Sequence, residues 1–157
     1  VLNFDGKAAE LSATRFRFDL DGDGTAEEVP LLGDGSGYLA LDLDGDGKIT
    51  SGRELFGPQS GDGYTELARY DTDGNRWIDE NDAVFEHLRI WSPAAEGGGT
   101  LANLRERQVG ALSLDRLATS FELRDSGNAS LGAVRSSGFY LSEEGHAGSL
   151  QQIDLTV

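Results

Sequence analysis

Asp71-Thr-Asp-Gly-Asn-Arg-Trp-Ile-Asp-Glu-Asn-Asp82 is the stretch on which the fold reading turns. Asp71, Asp73 and Asn75 put side-chain oxygens at positions one, three and five of a twelve-residue loop. Trp77 stands where a backbone carbonyl is wanted, Asp79 holds position nine, and Asp82 closes the loop. That plan suits a hard divalent cation, which gathers roughly six to eight oxygens at about 2.3–2.6 Å. Two residues depart from it. Arg76 occupies the sharp turn, where a left-handed backbone costs a side-chain-bearing residue on the order of 1 kcal/mol. Asp82 is one methylene shorter than the usual closing Glu, which favours ligation through one oxygen.

A second loop repeats the pattern: Asp42-Leu-Asp-Gly-Asp-Gly-Lys-Ile-Thr-Ser-Gly-Arg-Glu54. Asp42, Asp44 and Asp46 are its alternating acids, Gly47 makes the turn, and Lys48 offers the carbonyl. Arg53 falls at position twelve, so a one-residue insertion at Ser51–Gly52 moves the closing role to Glu54. Ile49 and Ile78 share position eight of their loops. In a paired EF-hand such residues meet across a short two-stranded ladder, so an EF-hand-like pair is expected over residues 42–91.

The first loop, Asp19-Leu-Asp-Gly-Asp-Gly-Thr-Ala-Glu-Glu28, has Pro30 at position twelve and cannot close in that way. Asp19, Asp21 and Asp23 are its acids, Thr25 stands at the carbonyl position, and Glu27 or Glu28 closes it. Apolar alternation in Arg15–Asp19 and the run Val29–Leu32 predict strands on both sides, hence a separate hairpin site within residues 1–41.

The rest reads as short elements. Strands are predicted at Tyr38–Leu43, Ala111–Leu114, Phe121–Leu123, Leu131–Arg135, Phe139–Leu141 and Ile153–Val157. Helices are predicted at Ser51–Phe56, at Glu66–Tyr70 capped by Thr65, near Asp82–Leu88, and at Leu101–Val109 capped by Thr100. Residues 100–157 thus form a helix followed by strands. The expected fold class is α+β: an EF-hand-like loop pair with short helices, packed with antiparallel strands from both termini as one domain over 1–157.

Composition narrows the partners. The chain has 157 residues and a net charge of −15, which disfavours nucleic acid and anionic membrane surfaces. The absence of Cys removes disulfides, thiolate metal sites and Cys nucleophiles. No apolar run approaches the length of a membrane span. Zinc would prefer His or Cys, and His87 and His146 lie in unrelated settings. Magnesium demands a stricter octahedron than these carboxylate-rich loops suggest. Calcium, about three ions, is the expected cofactor. A sequence opening at Val1 reads as a fragment or processed piece of a larger chain. No nucleophile elbow or other catalytic arrangement is recognisable.

From Gly37 to Leu114 the chain resembles the calcium-dependent self-processing module of bacterial RTX (repeats-in-toxin) proteins and related domains of large secreted adhesins. The matching residues are Gly37-Tyr-Leu-Ala-Leu-Asp-Leu-Asp-Gly-Asp-Gly47, Glu54-Leu-Phe-Gly57, Gly63-Tyr-Thr-Glu-Leu-Ala68, Tyr70-Asp-Thr-Asp-Gly-Asn75 and Val84-Phe-Glu-His-Leu-Arg-Ile-Trp91. The resemblance implies a secreted or cell-surface bacterial protein that folds on meeting extracellular calcium, with neighbouring domains of a larger chain as partners. Its self-processing members cut an Asp-Pro bond before the first loop. This chain has no Asp-Pro, and Thr14-Arg15 occupies that place, so a non-enzymatic, monomeric structural domain is expected. The alternatives are an autocatalytic processing module and an adhesin module binding a glycan or peptide through Tyr64, Trp77 and Tyr140. Those three aromatics read more readily as core.

Overall fold

The computed structural model describes Val1–Val157. Strands take up 46% of the chain and helices 10%, so the α+β expectation is overturned: the fold is mostly antiparallel β, one curled half-barrel sheet. The strands are β1 (Leu2–Asn3), β2 (Leu11–Phe18), β3 (Glu27–Leu32), β4 (Ser36–Leu41), β5 (Trp77–Ile78), β6 (Leu88–Pro93), β7 (Gly99–Asn103), β8 (Val109–Ser113), β9 (Leu117–Arg124), β10 (Ser130–Ser142) and β11 (Ala147–Leu155). A single α-helix, α1 (Gly63–Ala68), and three one-turn 3-10 segments complete the chain.

Nine strands join in one sheet, in the order β5-β8-β10-β11-β1-β4-β6-β7, with β9 added to β10. The thirteen-residue β10 organises it. One edge of β10 pairs β11, and its partners otherwise are β9 along Ser130–Ser137 and β8 along Tyr140–Ser142. β2 and β3 form a separate two-stranded hairpin.

Both faces of the sheet centre are covered, and period-two alternation sorts the side chains. Leu39, Leu88 and Ile90 enter one apolar cluster, which α1 completes with Tyr64 and Leu67. Tyr38, Ala40 and Trp91 point the other way, into a cluster closed by Phe16, Phe18 and Val29 of the hairpin. Trp91 is its hub, with ring centroids 4.9 Å from Phe18, 5.8 Å from Tyr38 and 6.0 Å from Phe16.

The predicted helices fare differently. Of the helix expected over Glu66–Tyr70 only Glu66–Ala68 is helical; α1 starts three residues earlier and ends at Ala68, with Arg69 as its C-cap. Its N-cap is Asp62, whose carboxylate accepts from the Thr65 N–H, and Thr65 itself lies inside. At Ser51–Phe56 only the turn Gly52–Glu54 is helical. Val84, Phe85 and Leu88 are buried as expected, yet the helix near Asp82–Leu88 shrinks to Phe85–His87 before β6 begins. Leu101–Val109 is not a helix. Gly99–Asn103 adds to the edge of β6, and Arg105–Arg107 turns the chain into β8. Pairing with an existing strand edge satisfies those backbone groups at once, where a lone nine-residue helix would face a costly nucleus. The strands expected at Leu131–Arg135 and Phe139–Leu141 are one strand, β10, carried through an irregularity between Val134 and Ser136.

The EF-hand-like pair is also overturned. Ile49 and Ile78 do not meet: Ile78 pairs Leu112 of β8, and the two isoleucines sit in different apolar clusters. No long helices flank either loop, so the frame that would align them is missing.

Candidate metal centre

Three acidic groups are brought together, one per loop. They are Asp19, Asp21, Asp23 and Glu27; Asp42, Asp44 and Asp46; and Asp71, Asp73 and Asp82, each set with carboxylate oxygens within 4.8 Å of one another. These groups could hold a metal ion. Like charges gathered so closely need a reason, and the backbone supplies one.

All three loops share one wiring. The first Asp accepts the N–H five residues on: Asp19 from Gly24 at 3.1 Å, Asp42 from Gly47 at 2.8 Å, Asp71 from Arg76 at 2.9 Å. The acid at position three accepts from position five, as Asp21 from Asp23 at 3.0 Å, Asp44 from Asp46 at 3.1 Å and Asp73 from Asn75 at 3.2 Å. Position five accepts from position seven, through Asp23 with Thr25, Asp46 with Lys48 and Asn75 with Trp77. Positions four and six turn left-handed in each: Gly22 and Gly24, Gly45 and Gly47, Gly74 and Arg76. Arg76 adopts φ 67°, and its guanidinium holds Asp115 at the loop's rim.

The closing acid is recognisable by a further shared bond, from the N–H of the loop's second residue. Glu27 accepts from Leu20 at 2.8 Å, Glu54 from Leu43 at 3.3 Å, and Asp82 from Thr72 at 2.8 Å. By this criterion Glu27 closes the first loop, while Glu28 is exposed and lies opposite Arg17 in the hairpin. Glu54, the closing acid expected from the spacing, makes the same bond but stands outside the tight carboxylate group. It is buried and also accepts from the N–H and hydroxyl of Thr50. Asp79 is not part of the third carboxylate group. Its side chain accepts from Asn81 instead.

The coupling between loops differs from expectation. The first loop is not separate; it is tied to the second through the Ser51–Gly52 insertion. Gly52 N–H donates to the Asp19 carbonyl at 2.8 Å, Arg53 Nη2 to the Gly22 carbonyl at 2.6 Å, and Gln59 Nε2 to the Asp21 carbonyl at 3.1 Å. Sequence reasoning missed Gly52, Arg53 and Gln59; the extra residue in the second loop was the signal. A Cβ at Gly52 would lie 1.8 Å from the Leu20 carbonyl oxygen. Gly52→Ala is therefore expected to push the two loops apart and cost about 1–3 kcal/mol, measured by chemical denaturation. An unchanged midpoint would refute the tie.

The electrostatics show crowding. The Gly47 N–H, ahead of lesser bonds, holds Asp42 below the usual carboxylate range. Asp44 is pulled down by the Asp46 N–H, but desolvation and the Asp46 and Glu54 charges outweigh it, and it is raised overall. At Asp73 the Asn75 N–H is likewise outweighed by desolvation and by Asp71 and Asp82. A cation among these groups would reverse both upward shifts. A second observation fits a cation: Asp19 Oδ1 is buried and has no hydrogen-bond partner, an expensive state for a carboxylate oxygen unless something positive meets it.

His87 and His146 are exposed and join no group. Tyr64 and Tyr140 are buried, with hydroxyls donating to the carbonyls of Leu150 and Asn3. Trp77 packs edge-on against Phe139. These three do not form an exposed aromatic face.

Fold and loops together define a β-rich domain carrying three acidic clusters on hairpin and loop turns. The chain belongs to the SPM domain family, which it matches over residues 1–156. It is also similar to the iron-regulated protein FrpA of Neisseria meningitidis serogroup C, at 33% identity over 129 residues, covering 73% of this chain and 12% of that protein. The chain thus spans a small part of that relative's length. No helix is long and apolar enough to cross a membrane.

Proposed function

We propose that this chain is a calcium-binding structural domain of a secreted bacterial protein of the RTX or adhesin type, made rigid by about three calcium ions. The observation that carries the reading is the single wiring scheme repeated in three loops, which gathers carboxylates that repel one another without a cation. The buried, partnerless Asp19 Oδ1 supports it. Asp19, Asp21, Asp23 and Glu27 would hold the first ion, with Thr25 offering a carbonyl. Asp42, Asp44, Asp46 and Glu54 would hold the second, with Lys48. Asp71, Asp73, Asn75 and Asp82 would hold the third, with Trp77. Oxygen-only ligand sets favour calcium over softer metals. Three bound ions would take the formal net charge from −15 to −9.

The matched share of the FrpA relative fits a domain working among neighbours in a longer polypeptide. In this reading the domain's role is structural, and residues 1–157 hold no Asp-Pro bond of their own for self-processing. Isothermal calorimetry with calcium is expected to give about three ions per chain with dissociation constants of about 10⁻⁴–10⁻³ M, the range of extracellular modules. Absence of saturable calcium binding would overturn the reading; equal affinity for magnesium would change the ion.

A further inference from the structure

β1 is only two residues long, yet it lies mid-sheet between the nine-residue β11 and the six-residue β4. Leu2 pairs Leu150 on one side and Gly37 on the other. Val1 extends the ladder: its nitrogen donates to the Gln151 carbonyl at 2.8 Å, and its carbonyl accepts from Gln151 N–H at 2.8 Å. There the strand stops, while its neighbours run on. Beyond Gln151, β11 continues to Leu155 with strand pairing on its β10 side only. Across the gap β4 continues through Tyr38 and Leu39, after which Leu55 bridges Ala40.

Two strands that flank a common neighbour stand two strand spacings apart, about 9.5 Å. Beside Leu39 the gap therefore has the width of one strand; from Ala40 on, Leu55 holds the β4 edge, and the wall opposite β11 is Leu55 to Pro58. The gap coincides with a cavity of about 300 Å³, lined by Val1, Tyr38, Leu39, Leu55 and Gln151 to Leu155, with Tyr64 and Leu67 below. The Tyr38 hydroxyl is buried there without a hydrogen-bond partner.

We propose that this gap is an acceptor slot for one extended strand, and that its occupant is the polypeptide joined to the Val1 nitrogen wherever the domain sits within a longer chain. Because that nitrogen already lies in the ladder, any residue attached to it is delivered into the slot, antiparallel to β11. Alternation assigns the side chains. The residue directly before Val1 shares the face of Leu2, toward Leu39, Tyr64 and Leu67. The one before that lies opposite Ile153 and faces the Tyr38 side. Both positions call for apolar residues. Since Val1 and Gln151 exchange both bonds, the next exchange falls two residues back, opposite Ile153. The slot would bind the domain to whatever precedes it by continuous backbone pairing rather than by a flexible tether. This inference does not depend on metal binding.

The test compares three proteins in calcium buffer: residues 1–157 alone, the same chain with Thr-Thr-Ile-Val added before Val1, and the same chain with Thr-Thr-Pro-Val added. The Pro falls opposite Ile153 and removes one ladder donor. Amide hydrogen exchange at Ile153, read by NMR, is expected to slow at least tenfold in the Ile form and by clearly less in the Pro form, which keeps the carbonyl that Ile153 N–H donates to but lacks the donor to the Ile153 carbonyl. The Ile form's added amides should also be protected. Unchanged exchange at Ile153, with added amides exchanging at free-peptide rates, would overturn the proposal. Equal protection in the Pro form would overturn the register.

Discussion

Removing divalent cations with a chelator is expected to lower the melting temperature of this domain by about 10 °C relative to calcium at tenfold excess over its dissociation constants. Each occupied site then contributes about 1.4 kcal/mol, so three contribute about 4 kcal/mol. For a domain of this size, 1 kcal/mol moves the midpoint by about 2–4 °C. The structural basis is the crowding described above. In Asp19–Glu27, Asp42–Asp46 and Asp71–Asp82 the acids are held together by backbone N–H groups that fold the loops whether or not metal is present. The metal-free state therefore retains the desolvation, and with it the repulsion, that keeps Asp44 and Asp73 above their usual range. A melting curve by circular dichroism checks this. Coincident curves with calcium and with chelator would refute the calcium reading.

Asp82→Ala is expected to be the most damaging single change in the loops. Asp82 is 1% exposed, and its carboxylate accepts from Thr72 N–H, Thr72 Oγ1 and Asp79 N–H at 2.8, 2.9 and 3.1 Å. Truncation leaves the half-buried Asp79 N–H without an acceptor, at about 1–3 kcal/mol, frees the donors of the exposed Thr72 to water, and takes one carboxylate from the third cluster. The structural loss should persist in chelator, whereas the metal-dependent loss should appear only with calcium. Calorimetric stoichiometry should fall by one ion. The pH dependence has a definite sign. Burial raises the Asp82 carboxyl, but its hydrogen bonds overcome this and hold it below its ordinary value. It therefore contributes stability that is present above the unfolded carboxylate value, about 3.9, and lost as pH falls through the lower folded one. The alanine variant should show a shallower loss of stability on acidification; an identical acid profile would remove Asp82 from this role.

The loops were legible because a cation loop is local chemistry. Alternating acids at Asp42, Asp44 and Asp46, with Gly47 at a left-handed turn, are set by neighbours along the chain, and the structure folds them with the expected spacing. Even the displaced Glu54 could be found by counting. The β2–β3 hairpin was visible too, in Phe16, Phe18 and Val29. Pairing between loops was not. Ile49 and Ile78 hold equivalent places in their loops, yet which strand receives Ile78 depends on β8, more than thirty residues away. The apolar spacing of Leu101 to Val109 fits a helix as well as two short strands; the edge of β6, just across the turn at residues 94–98, decides for the strand, and the spacing of the apolar residues alone does not report that edge.

The amino-acid sequence by itself determined the acidic clusters, their internal turns, the place of Asp82 in the third cluster, and the absence of thiol chemistry. Each depends on residues within about a dozen positions of one another. Only the tertiary structure decided that the fold is a nine-stranded sheet, that Glu27 rather than Glu28 joins the first cluster, and that the first loop is bonded to the second through Gly52. It also revealed the strand-wide gap beside Val1. The physical reason is common to all four. A backbone N–H, a strand edge or an open carboxylate oxygen is satisfied by whichever partner packing brings to it, and the chain does not record that partner at any fixed separation.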